Sequence, residues 1–247
     1  MVSIVYNEYC LLGMKRYPDK YFDLAIVDPP YGIGMDNQSK RTKPNRPNSY
    51  TNYAPIKYNI SEWDNDVPDE KYFNELFRVS KNQVIWGANY FCKNIPSGKG
   101  WIYWDKQMGD NNFSSGEFAY QSMQIKSSSF SYPSDRSQNR IHPTEKPIQL
   151  YRWLLNNYAY CKTCRNEGGF YEDVVGDGGS QMYVDCENCN ISIDGMPKIL
   201  DTHLGSGNSR LAAHGMNFDF VGFEIDKTYF EAAEKRYQNH IKQLNLF

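Results

Sequence analysis

The clearest apolar run in the chain is Leu24-Ala25-Ile26-Val27, short, branched and closed by Pro29-Pro30. A run of that length with such a stop predicts a buried parallel strand over residues 22–27 that feeds a rigid loop. Comparable runs predict strands over residues 2–6, 83–87, 100–104, 118–123, 198–201 and 220–223. Between them the apolar spacing turns helical. Residues 11–16 form one such piece, and Tyr72, Phe73, Leu76 and Phe77 mark another that opens after Asp66. Ile148, Tyr151, Leu154, Leu155 and Tyr158 give one apolar face behind Pro147. Residues 210–214, closed by Gly215, predict a short helix, and Asp226 opens a last one through Tyr229, Phe230, Ala233, Tyr237 and Ile241. Trp86, Trp101 and Trp104 read as core. Strands alternating with helices predict an α/β domain, a mostly parallel sheet with helices on both faces. Asp28 then falls at the carboxyl end of a strand, the edge where open α/β sheets bind ligands.

Two segments break the pattern with polar sequence. The first runs from Gly32 to about Ile60, far beyond the usual connection length. It carries Lys40, Arg41, Lys43, Arg46 and Lys57 among Tyr50, Tyr53 and Tyr58, with no acid after Asn37. Charges for phosphates and rings for bases suit a nucleic-acid backbone, and a solvated linker is the alternative. The second, residues 126–140, reads as an irregular loop and holds Arg136 and Arg140, further candidates for nucleic-acid contact.

Cys161-Lys162-Thr163-Cys164 and Cys186-Glu187-Asn188-Cys189 are two CxxC pairs separated by a Gly-rich stretch. Cys161, Cys164, Cys186 and Cys189 offer the four thiolates that a closed, structural zinc site takes. Two disulfides or a redox site are the alternatives. The module is assigned to residues 159–192, inserted within one domain of residues 1–247. Its acids outnumber its bases, which points to fold support or a protein contact and away from phosphates.

Composition narrows the setting. The 247 residues are 40% hydrophobic with a formal charge of -2, enough for one large core and without a global basic field. Tyrosine is abundant at 20, which suits half-buried positions or stacking surfaces. No apolar run reaches membrane-spanning length, and Met1-Val2-Ser3-Ile4 shows no charged leader before an apolar stretch. A soluble cytoplasmic protein is expected, with no membrane partner.

The strand at Lys198-Ile199-Leu200-Asp201 runs into Thr202-His203-Leu204-Gly205-Ser206-Gly207-Asn208-Ser209. Gly205 and Gly207 permit a tight strand-to-helix turn, with backbone donors free at the helix start. Glu224 follows the next strand, about 20 residues on, where a ribose hydroxyl pair is held in dinucleotide-type sites. Together they imply an adenosine-bearing cofactor.

Asp28-Pro29-Pro30-Tyr31, His142-Pro143-Thr144-Glu145-Lys146-Pro147, the Asp201-to-Ser209 turn and Gly222-Phe223-Glu224-Ile225-Asp226 together resemble the β-class amino-group DNA methyltransferases. The resemblance covers most of the chain outside the cysteine module. It implies a Rossmann-like methyltransferase fold with a circularly permuted motif order, the catalytic tetrapeptide preceding the cofactor turn. It also implies S-adenosylmethionine as cofactor, double-stranded DNA as substrate and a homodimer as the assembly. By resemblance, the Asp28 carboxylate and the Pro29 carbonyl accept the hydrogens of an exocyclic amino group. Pro30 stiffens the loop, and Tyr31 stacks on the extruded base. Asp201, His203, Gly205, Ser206, Gly207, Asn208 and Ser209 cradle the cofactor, Glu224 takes its ribose, and Thr144 and Lys146 lie near its methionine end. The family usually carries an acid followed by cysteine here to meet the adenine, whereas this chain has Tyr9 before Cys10, with Asn7 or Glu8 close by as a substitute. Asp at the head of the tetrapeptide implies adenine N6 over cytosine N4. RNA as substrate, or a binding module of weak catalysis, are the other readings.

Overall fold

The computed structural model describes residues 1–33, 67–98, 100–109, 114–123, 126–134, 140–160 and 196–244, together with the backbone of residues 169–173 and 181–185. Among these residues the first strands and helices are β1 (Ser3–Tyr6), α1 (Cys10–Met14), β2 (Phe22–Val27), α2 (Glu70–Val79) and β3 (Ser80–Trp86). They are followed by β4 (Trp101–Asp105), β5 (Gly116–Gln121), β6 (Ser128–Ser131) and α3 (Ile148–Tyr158). The last are β7 (Gly169–Asp173), β8 (Gln181–Asp185), β9 (Lys198–Asp201), α4 (Asn208–Gly215), β10 (Asp219–Phe223) and α5 (Lys227–Leu244).

One sheet has the order β1-β10-β9-β2-β3-β5-β4-β6. All its pairings are parallel except those of β5, which runs against both β3 and β4. From β9 the chain crosses outward to β10, and from β2 it crosses the other way to β3. The carboxyl ends of β9 and β2 therefore flank a topological switch point, where a crevice must open. Asp201 and Asp28 stand at those two ends. Because β5 is reversed, its amino end, Gly116-Glu117, reaches the same edge of the sheet.

Alternation along β2 sends side chains into two cores. Leu24 and Ile26 join Trp86, Trp104, Ala119, Leu150, Leu154 and Ala213 on the face covered by α3 and α4. Ala25 and Val27 join Met14, Tyr72, Phe73 and Leu76 on the face of α1 and α2. A central strand buried on both faces explains the unbroken apolar run in its sequence.

Several boundaries differ from expectation. Helix α2 opens at Asp69, whose carboxylate accepts the Tyr72 N–H at 3.2 Å, not after Asp66. β3 begins at Ser80, before the apolar part of its sequence. β6 lies inside the stretch expected to be irregular. It is an edge strand of serines anchored by Phe130, whose ring lies 5.3 Å from that of Trp153, so no alternation announced it. α4 is closed past Gly215 by Asn217, which takes the left-handed conformation at φ 60. β7 and β8 form a separate antiparallel ribbon within the cysteine module. Cys161, Cys164, Cys186 and Cys189 lie outside the described residues. Among the described residues no helix is long and apolar enough to cross a membrane.

Gly13 sits where α1 packs on β10, and a Cβ there would lie 2.1 Å from the Phe223 ring. Gly13→Ala is expected to cost about 1–3 kcal/mol by overpacking, read as a lower urea midpoint with an unchanged slope.

Candidate active site

The two prolines after β2 fix the direction in which Asp28 leaves the sheet. Both of its carboxylate oxygens are engaged: the Tyr31 hydroxyl donates to Oδ1 at 2.6 Å, and the Lys146 ammonium donates to Oδ2. Burial pushes the Asp28 carboxyl up, against the opposing pull of Lys146. The Tyr31 ring stacks on Tyr90, with centroids 5.0 Å apart and planes 13° from parallel, and meets the edge of Phe91. Gly87 makes the seat for that ring. Its φ is +66, and a Cβ there would fall 2.1 Å from Tyr31.

The other half of the crevice is built from β9, α4 and β10. Asp201 is buried and pushed up to about 6; its carboxylate accepts the His203 N–H at 3.0 Å and the Ser209 hydroxyl at 2.5 Å. It braces the turn from inside. Gly205 and Gly207 both hold positive φ, 52 and 78, the conformations that glycine supplies without strain. The Gly205 N–H donates to Glu224 Oε2 at 2.8 Å and the Asp226 N–H to Oε1 at 2.9 Å. Each oxygen keeps further lone-pair capacity for a ligand. Burial raises the Glu224 carboxyl to about 7.

The His142-to-Pro147 loop spans the two halves. The Glu145 carboxylate accepts from Asn208 Nδ2 at 2.9 Å, from Arg236 at 2.8 Å and from the Ile141 N–H at 3.0 Å. Asn208 also donates to the Lys146 carbonyl at 2.8 Å. Asn208 and Glu145 thus clamp the loop to the start of α4, so that Lys146 reaches across to Asp28. His142 and His203 are both lowered to about 3 by burial, so both rings are neutral. From α2, the Tyr72 hydroxyl meets Thr202 at 2.7 Å, and Thr202 meets His203 at 2.9 Å.

These pieces enclose a cavity of about 370 Å³, a size suited to a small-molecule ligand. Of the residues singled out in the sequence, Tyr9, Cys10, Asp28, Pro30, Thr144, Lys146, His203, Gly205, Ser206 and Glu224 line it. Asp201, Asn208 and Ser209 lie buried behind the lining as braces. Asn7 is committed elsewhere, donating to the carbonyls of Glu224 at 2.7 Å and Ile225 at 3.2 Å. Glu8 lines the cavity with its carboxylate held by Arg16, and its neighbour Tyr9 brings an aromatic ring. Burial pushes the Cys10 thiol up to about 12, so it enters the cavity as an uncharged group. Arg140 donates to the Pro143 carbonyl at 3.2 Å. Lys40, Arg41, Lys43, Arg46 and Arg136 lie outside the described residues.

The sequence reading missed Glu117 and Lys106. Glu117, on β5, lies 3.1 Å from the Lys146 ammonium and also pairs with Lys106. A single acid one residue before the expected strand carries no motif, so only the reversed direction of β5 reveals where it points.

No family model matches the chain. It is 22% identical over 254 aligned positions to the type II methyltransferase M.HinfI of Haemophilus influenzae, a match that covers 92% of this chain and 66% of that protein. Among solved structures it resembles the complex of M1.HpyAVI with SAM, at 16% identity and a TM-score of 0.50, covering 96% of this chain and 100% of the other. It also resembles the cytosine-N4-specific PvuII DNA methyltransferase, at 10% identity and a TM-score of 0.53, covering 96% and 86%. The chain has the Rossmann-like fold of those enzymes.

The position of Glu224 sets two opposite pH dependences. Its folded value of about 7 lies above the ordinary 4.5, so protonation favours the folded state. That contribution is full below about 4.5 and is lost as pH rises through about 7. An acceptor of ribose hydroxyls must be ionised, so affinity for S-adenosylhomocysteine should fall as pH drops below about 7. In the ligand-free protein the buried His142 and His203 rings oppose Glu224 as pH falls below 6.5, so the Glu224 contribution is read as the melting temperature of wild type relative to Glu224→Gln, which should rise over that range. Glu224→Gln should flatten the binding profile and weaken binding at pH 8 by about tenfold, as calorimetry would show.

Proposed function

We propose that the chain is an S-adenosylmethionine-dependent DNA methyltransferase that modifies the N6 amino group of adenine. The observation that carries this reading is that one cavity is lined by both Asp28 and Glu224, the ends of two different half-sites. The residues present fit the donor. The glycine turn leaves backbone close to the cavity, Glu224 has acceptor capacity for a ribose, and Tyr9 and Ile225 offer apolar surface to a purine. When bound, S-adenosylmethionine supplies an electrophilic methyl group on a sulfonium.

An exocyclic amine is a weak nucleophile because its lone pair is delocalised into the ring. Asp28 and the Pro29 carbonyl, accepting its two hydrogens, favour the pyramidal geometry that frees that pair. When the amine takes up the methyl group it must shed one proton, and Asp28, in contact with it, would accept that proton. The raised Asp28 carboxyl suits that acceptance. Tyr31, already backed by Tyr90, is the ring on which a flipped base would stack. The remaining catalysis is positioning and electrostatics. The permuted motif order is supported by the chain running through β2 and β3 before β9 and β10, with β1 pairing beside β10.

Cytosine N4 is the second reading, favoured by the likeness to the PvuII enzyme, because the same acceptors serve either amine. Nucleoside mass spectrometry of DNA and RNA incubated with the protein should show N6-methyladenine in DNA alone. N4-methylcytosine would redirect the assignment, and no methylated base would sink it. Asp28→Ala is expected to lower turnover by on the order of a hundredfold to a thousandfold while cofactor binding persists.

The cysteine module is proposed to hold a structural zinc. In its support, the β7–β8 register pairs Gly169 with Asp185, so the chain enters and leaves the ribbon at one end. In sequence, the CxxC pairs flank that end. Metal analysis of the purified protein should find one zinc per chain, lost on replacing Cys161 and Cys186 by serine; a metal-free chain would rule the site out.

A further inference from the structure

Four charges alternate along the carboxyl edge of the sheet. The Lys146 ammonium contacts both Asp28 and Glu117, and the Lys106 ammonium contacts Glu117 from the far side. Each cation also lies over an indole of the core beneath: Lys146 is 5.4 Å from the Trp86 ring and Lys106 is 5.1 Å from the Trp104 ring. Trp86 and Trp104 themselves pack edge to face, with centroids 6.3 Å apart. Topology dictates the row. Asp28, Trp86 and Trp104 share the face of the sheet that packs on α3, and reversed β5 brings Glu117 onto that face in phase with buried Ala119.

The side chain of Lys146 is only 2% exposed, so its charge depends wholly on these partners. A lone Lys–Asp pair in such a place would close into a neutral contact. The second carboxylate changes that, because one ammonium shared by two acids neutralises neither fully.

We propose that Glu117 is a positioning residue of the site: by sharing Lys146 with Asp28 it leaves Asp28 with free acceptor charge for the substrate amine, and Lys106 balances Glu117 from outside. This inference rests on the transfer reading for its consequence, though not for its electrostatics. The groups that face Asp28 are Lys146 and Tyr151 from the α3 side, Glu117 from β5, Asp201 from β9, and Tyr31 and Tyr72. Of these, Glu117 is the second anion in contact with Lys146; burial raises the Asp28 carboxyl and the repulsion of Glu117 adds to it. Its own carboxyl is pushed up by burial but held low overall by the two lysines.

The test uses the full chain, first without ligand. With γ-¹³C-labelled aspartate, and Asp28→Asn to assign the signal, the Asp28 carboxyl should titrate at lower pH in Glu117→Gln, where Lys146 closes onto it. It should titrate at higher pH in Lys106→Met, where Glu117 is less balanced. Glu117→Asp, which keeps the charge, should restore much of the wild-type midpoint and serves as the variant should Glu117→Gln fold poorly. Opposite shifts support the proposal, and an unmoved midpoint in both variants overturns it. The second measurement is methylation of unmethylated genomic DNA. Glu117→Gln should lower kcat by on the order of tenfold to a hundredfold, with KM for S-adenosylmethionine unchanged. An unchanged kcat beside an active wild type would refute the positioning role alone. A wild type that methylates nothing refutes the transfer reading, and the titration still decides whether Glu117 sets the charge on Asp28.

Discussion

The buried Lys146 ammonium is the contact on which the site depends. Burial on its own would discharge the amine, but the carboxylates of Asp28 and Glu117 overcome that and hold its proton more firmly than in water. Each partner comes from a different part of the chain: the loop after β2, reversed strand β5, and the loop before α3. The ion pairs therefore join the two halves of the crevice. Removing Lys146 would leave two carboxylates without their shared cation in a dry place, which costs far more than the pairing itself stabilises. The clamp of Glu145 on Asn208 and Arg236 serves the same end, because it fixes the loop from which Lys146 reaches across.

The cofactor half works differently. Asp201 and Glu224 are also buried carboxylates, but their partners are mostly neutral donors: backbone N–H groups and the Ser209 hydroxyl. Without a counter-ion in contact, burial dominates and both rise, to about 6 and about 7. Similar acids at the same sheet edge are thus tuned by the kind of partner each receives. Asp28 meets a cation and can accept from an amine, while Glu224 meets dipoles and can accept from hydroxyls.

Much of this was legible in the sequence because the elements that build the crevice are short apolar strands ended by chemistry. Residues 22–27 and 198–201 were placed where they lie, and Pro29-Pro30 and the Gly205–Gly207 pair announced the loops that follow. What stayed hidden depended on pairing between distant strands. The direction of β5 is set by its neighbours β3 and β4 and not by its own residues, so nothing in the sequence marks Glu117. β6 escaped because an edge strand of serines has no alternation.

The same distinction explains what Tyr9 does to the site. An acid at this place would read the amino edge of a purine by accepting its hydrogens, an interaction that rejects rings lacking that donor. Glu8, one residue earlier, lines the cavity but restores it only in part, because both of its oxygens already accept from Arg16, whose guanidinium in turn sits over the Tyr6 ring at 4.5 Å. Asn7 gives its Nδ2 to the carbonyls of Glu224 and Ile225 and is not among the lining residues. What remains at the mouth is an aromatic ring, half exposed, with Ile225 also lining the cavity. Contact of that kind scales with buried area and tolerates changes at the purine edge. In the proposed complex, discrimination among adenosine-like ligands would therefore fall more on Glu224 and the glycine turn, placed to meet the ribose and what is attached to it. The affinity of the crevice is then set at the end where its carboxylate titrates near neutrality.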